Sequence, residues 1–187
     1  MNIEFIAKLE KLDACDDSIE WLSTQDSIKS AWEDCERGDW LLWLVARLNI
    51  NERKLFLAKG LVVEQVLHLM NDERSIEAVE AAINYGNGKI SKDELEIFIA
   101  DAYTAAYATA DADADTYTAT TSAAFAAASA AFAAAFADAA ASAAFAAANY
   151  AADASDAEQL SFKKSADIVR KIFSFEEIIE ALCGELK

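Results

Sequence analysis

The sequence predicts an all-α protein, and three observations carry that prediction. The 187 residues include no proline and only five glycines, at 38, 60, 86, 88 and 184, so the residues that break helices are nearly absent. Apolar residues recur at three- and four-residue spacing from the outset, beginning with Ile3, Phe5, Ile6 and Leu9. Between positions 101 and 157, 31 of 57 residues are alanine, the strongest helix former. The length suffices for one domain with a sizeable core. The expected architecture is a helical bundle in which 1–100 and 158–187 form the globular core and 101–157 forms an alanine-rich helical hairpin packed on it.

The elements follow in order. Ile3 to Leu9 opens a first helix, and Asp17 with Glu20 has the spacing of a capping box for a short second one. A third helix is expected near 26–36. Arg37-Gly38-Asp39 reads as a turn in which Gly38 suits a helix C-cap and Asp39 caps a helix from Trp40 to Leu48. Asn51 is placed to cap the next. That helix carries Leu55, Leu57, Leu61, Val62, Val66, Leu67, Leu69 and Met70 and is apolar on most faces, as a central helix would be. A helix over 74–85 should end at Gly86-Asn87-Gly88, and Ser91 with Glu94 forms a capping box for one starting near 92. A single helix from 92 to 157 would be roughly 100 Å long. A hairpin or kink is therefore expected between Asp111 and Ser122, where Asp, Thr and Ser compete for helical hydrogen bonds. A helix over 159–173 and one opened by a Ser174–Glu177 capping box complete the chain.

Charge bounds the partners. The formal charge is −17 and the pI about 4.3, which disfavours direct contact with nucleic-acid phosphates or an anionic membrane and favours a basic protein partner. The alanine-rich stretch is interrupted by Asp138, Ser142, Asp153 and Asp156, so no membrane span is expected. The N-terminus has neither an apolar core nor a small-residue cleavage site, and a cytoplasmic location is expected. Cys15, Cys35 and Cys183 are too few and too scattered for a disulfide framework or a zinc site and read as reduced, mostly buried thiols.

Within the alanine-rich segment, Tyr103, Tyr107, Tyr117, Phe125, Phe132, Phe136 and Tyr150 would share a face of a continuous helix. That stripe reads first as packing. The alternatives are a hairpin presenting rings and the acidic run Asp111, Asp113 and Asp115 to a partner, or an ice-binding helix, for which the threonines lack regular spacing. Alanine faces also favour close helix pairing, so a homodimer through this segment is expected.

Catalytic signals are sparse. Gly86 to Glu94 copies the second half of a calcium-binding EF-hand loop, but Ile83 and Tyr85 stand where its early oxygen ligands belong. His68, the single histidine, sits among leucines and reads as a core or boundary residue. No phosphate loop, nucleophile elbow or Cys-x-x-Cys occurs. No metal, cofactor or enzymatic activity is expected. The one dense cluster runs from Trp32 through Cys35, Arg37, Asp39, Trp40 and Trp43 to Arg47. Trp40 and Trp43 lie on one helix face with Arg47 four residues beyond, so they form either a core tryptophan pair with Asp39 as N-cap or a ring-and-guanidinium binding surface.

Trp32-x-x-Cys35-x-Arg37-Gly-Asp39-Trp40-x-x-Trp43, Arg53-Lys54-Leu55, the run from His68 to Ala78, the alanine-rich helices and Ala166-Asp-Ile-Val-Arg-Lys171 resemble the immunity proteins of bacterial toxin–immunity loci and of phages. The resemblance spans about residues 30 to 172. It implies a non-enzymatic helical inhibitor that neutralises another protein, and in a phage an anti-defence inhibitor whose acidic surface imitates DNA. The alternative expectation is a protein that sequesters a nucleotide-like signal, with Trp40, Trp43, Arg47 and Arg74 stacking on the base and pairing its anion.

Overall fold

The structure is a computed structural model that describes residues 3–65, 67–69, 73–112 and 155–184. Among the described residues every regular element is helical and no strand occurs. In chain order they are α1 (Ile3–Lys11), α2 (Asp16–Ser23), α3 (Ile28–Asp34), α4 (Gly38–Arg47), α5 (Glu52–Glu64), a 3₁₀ turn (Leu67–Leu69), α6 (Glu73–Gly86), α7 (Lys92–Ala112), α8 (Ser155–Ile172) and α9 (Phe175–Gly184). The expected hairpin lies outside the described residues, apart from the end of α7 and the start of α8.

Three caps form as expected. The Asn51 side chain accepts from the Lys54 amide at 3.0 Å. Glu94 accepts from the Ser91 amide while Ser91 Oγ accepts from the Glu94 amide, and Ser174 and Glu177 repeat that exchange at α9. Two expected caps do not form. Helix α2 begins at Asp16, so Asp17 lies inside the first turn. The N-cap is Cys15, with no side-chain cap bond, and Ser18 Oγ donates to its carbonyl at 2.7 Å. Helix α3 is instead opened by Ser27, whose Oγ accepts from the Ser30 amide while Ser30 Oγ accepts from the Ser27 amide.

The 37–39 turn also differs from expectation. Helix α4 starts at Gly38, not Trp40, with Arg37 at the cap and Asp39 already inside the first turn. The reason is steric: a Cβ on Gly38 would lie 2.4 Å from Ser165 Cβ and 2.6 Å from the Ala166 amide. Gly38 therefore lets the start of α4 press onto the small-residue face of α8, where Ser165 and Ala166 are fully buried. Gly86 works similarly. It ends α6 as its last residue, within 2.5 Å of Leu57 for any added Cβ, and the positive φ of the following turn falls to Gly88.

Helix α5 is the hub, packing on α4, α6 and α8. It is shorter than expected, ending at Glu64, with Leu67 and Leu69 in the 3₁₀ turn. Gln65 stops it by folding its amide back onto the Val62 carbonyl, which satisfies an acceptor of the last turn. The main core joins Leu42, Val45, Val62, Val63, Val169, Phe173 and Ile178, so α4, α5, α8 and α9 close around one centre. A second cluster of Phe56, Ala81, Tyr85 and Leu95 seals α5 against α6 and α7.

Candidate functional site

Helices α2, α3 and α4 converge at the N-terminal end of the bundle. Helix α2, Asp-Asp-Ser-Ile-Glu-Trp-Leu-Ser, turns Leu22 fully inward and leaves Trp21 half-buried, while Asp16, Asp17 and Glu20 are exposed. Trp32 on α3 is buried, and Trp40 and Trp43 on α4 are half-buried. The rings of Trp21 and Trp40 lie 5.9 Å apart at 56°. All four tryptophans of the chain line a single cavity of about 70 Å³. Helix α1 adds Phe5 and Leu9 to its wall, and α9 adds Phe175 and Ile178. Trp40 packs against the main core and Arg47 stands over Trp43, and both half-buried tryptophans wall an apolar recess.

The polar groups of that wall are used locally. Ser18 Oγ donates to the Cys15 carbonyl, and the Cys35 thiol donates to the Arg37 carbonyl at 3.6 Å. Burial pushes the Cys35 thiol up to about 11, so it stays protonated. Asp39, expected as a helix cap, instead takes a bidentate grip from Arg37, with Nε at 2.9 Å and the terminal nitrogen at 2.6 Å. That bond holds the guanidinium above its ordinary value. The guanidinium also lies between two rings, 4.5 Å from Trp40 and 4.8 Å from Phe162, joining α4 to α8. Arg37 and Asp39 are thus a neutral pair built into the frame. Arg47 sits 5.9 Å over Trp43, at the far end of the same helix.

The other expected site residues are not brought here. Arg74 is exposed on α6 and does not line the cavity. Asp111 falls in the last turn of α7, described as backbone only, and Asp113 and Asp115 lie outside the described residues. His68 is exposed on the 3₁₀ turn, not a core or boundary residue, because α5 ends before it. Cys15 and Cys183 are exposed and Cys35 alone is buried, which corrects the expectation of mostly buried thiols. Among the described residues, no group of three His, Cys, Asp or Glu is placed to hold a metal ion, and no helix is long and apolar enough to cross a membrane.

Several features had no clear signal in the sequence. Lys59, in mid-α5, is 2 % exposed, and burial pushes its ammonium down to about 8. Arg53 donates to the Tyr85 carbonyl at 2.6 Å and stacks 4.4 Å over its ring. Tyr85 Oη in turn donates to Glu52, which Lys92 also grips at 2.5 Å. Lys92 first, and Tyr85 after it, hold the Glu52 carboxyl below its usual range. Arg170 reaches from α8 to the carbonyls of Trp32 and Cys35, at 3.2 and 2.6 Å, capping the end of α3. Lys54 pairs with Glu177, Lys163 with Glu36, and Lys8 donates to the Leu182 carbonyl. These cations serve as clamps between helices.

Comparison of the chain with protein-family models, with curated proteins and with solved structures returned no match.

Proposed function

We propose that this protein acts by forming a complex, as a non-enzymatic inhibitor of the immunity or phage anti-defence type that neutralises a basic partner protein through an acidic helical surface. The observation that carries this reading is the disposition of charge. The chain holds 33 acidic and 16 basic residues, and Lys8, Arg37, Arg53, Lys54, Lys92, Lys163 and Arg170 are drawn into contacts that hold helices together. With these cations ion-paired or bonded to carbonyls, the surplus of 33 acidic over 16 basic residues stands as uncompensated carboxylate charge, a field that steers a cationic protein and repels nucleic acid.

Affinity capture of the tagged full-length chain from a lysate of its natural host tests this directly. The expected result is a stoichiometric basic protein whose retention falls steeply as salt is raised. An empty capture at low salt contradicts the reading. The nucleotide-sequestering alternative draws on the same tryptophans with Arg47 and Arg74, of which Arg47 stands over Trp43 while neither arginine lines the recess. Nucleotide-induced thermal stabilisation that Trp43→Ala abolishes without loss of fold would favour it over the inhibitor.

A further inference from the structure

We propose that the four-tryptophan cavity is the anchor point of the complex, receiving one aliphatic side chain of leucine or methionine size carried on a lysine- or arginine-rich segment of the partner. This rests on the reading that the partner is a basic protein and names where and how that protein is held.

Size sets the first limit. The recess holds about 70 Å³ and is open to solvent on one side, well under the roughly 150 Å³ of an enclosed cavity that takes up benzene, so it receives part of one apolar side chain and does not enclose a whole ligand. Chemistry sets the second. Ser18 and Cys35 already donate to backbone carbonyls, and the rest of the wall is aliphatic and aromatic side chains, which suit an apolar group. Tryptophan, moreover, is the residue most enriched where interfaces concentrate their binding energy.

Charge then selects the segment that carries the apolar group. Residues 13–36, which include the two helices walling the cavity with Trp21 and Trp32, contain eight carboxylates, all exposed, against the single lysine Lys29. Glu33 pairs with Lys29 and Glu36 with Lys163, and the remaining six stand on a stretch with no other cation. A neutral small molecule would gain nothing from these carboxylates, which stand on and beside the helices that wall the recess. A second copy of a chain with charge −17 would be repelled by these carboxylates. A cationic segment gains both the attraction of the exposed carboxylates on α2 and α3 and the apolar recess.

The test uses the intrinsic fluorescence of the full-length protein, since all four emitters line the cavity. The probe is an acetylated, amidated Lys-Lys-Leu-Lys-Lys peptide, with central Ala, flanking Glu and bare acetyl-leucine amide as comparisons. The expected result is a saturable emission shift with the Leu peptide, at least fivefold weaker binding for the Ala and Glu peptides, and affinity that falls with salt. Ala14→Leu, which fills the recess from its rim, should abolish the shift while the circular-dichroism melt stays unchanged or rises. If that variant does not fold, Ser18→Leu takes its place. Equal binding of the Leu and Ala peptides, equal binding of acetyl-leucine amide, no response to any probe, or an undiminished response in the filled variant would each overturn the proposal. A partner captured from lysate that binds Ala14→Leu normally would overturn the anchor alone and leave the inhibitor reading standing.

Discussion

Around Tyr85, where α5, α6 and α7 meet, Phe56 and Tyr85 close edge to face at 5.2 Å, and Arg53, Glu52 and Lys92 tie the polar groups together. Around Trp21 and Trp40, where α2 and α4 meet, the aromatic side chains stand beside a cavity. Both regions hold aromatic rings under an arginine, and the tryptophan rings also wall a recess. The difference teaches that an aromatic and basic cluster in a sequence does not distinguish a site from a strut. In both the arginine is spent within the chain, and what sets the tryptophan region apart is the recess its rings wall.

Gly38→Ala should break the tryptophan region most severely. The added methyl collides with backbone atoms of Ser165 and Ala166, not with a flexible side chain end, so α4 must leave α8. A loss of about 3 kcal/mol or more is expected in urea unfolding. Gly184→Ala, whose Cβ meets nothing within 4 Å, should stay within about 0.5 kcal/mol of the parent.

Arg170→Met comes next. It strands the Trp32 and Cys35 carbonyls at the end of α3 and should cost about 2 kcal/mol in the same assay. The mutation should also alter tryptophan emission, because α3 walls the cavity. Its counterpart in the closed region, Tyr85→Phe, removes one bond to the exposed Glu52 and should cost about 1 kcal/mol without changing the emission.

A pH series sharpens the contrast further. The folded pKa of Lys59 lies near 8, below its ordinary 10.5, so the unfolded chain binds more protons above pH 8 and stability rises with pH there. Between pH 8 and 9 the gain should be about 1 kcal/mol, and Lys59→Met should abolish it. Above pH 9 the sign reverses for Cys35. Its folded pKa near 11 keeps the thiol protonated while the unfolded chain releases the proton, so stability falls between pH 9 and 11. The smallest effect is chemical: at neutral pH a thiol reagent should label Cys15 and Cys183 at once and Cys35 only on unfolding. Rapid labelling of all three would mean that the tryptophan end opens readily.

The fold was largely legible because its signals are local. Asn51, Ser91 with Glu94 and Ser174 with Glu177 name their helices through side chains three residues apart. The turn at Gly38 misled because its glycine serves a distant partner: nothing near residue 38 announces that Ser165 will lie against it. Asp39 failed as a cap for the same reason, since the helix starts earlier and Arg37 takes its carboxylate. The site was half legible. Trp32, Trp40 and Trp43 announce themselves as one motif, but Trp21 joins them only through the packing of α2 on the bundle. A tryptophan in an otherwise acidic short helix was the available clue. Lys59 left no signal, because its burial depends on how α5 sits among α4, α6 and α8.

Hydrogen exchange of the full-length chain, alone and saturated with its captured partner, tests the central claim most directly. The account predicts that protection on binding concentrates in α2, α3 and the first turns of α4, residues 16–44, while α6 and the start of α7 exchange as before. Protection concentrated over 73–101, with the tryptophan helices unchanged, would contradict it and move the binding surface to the closed side of the bundle.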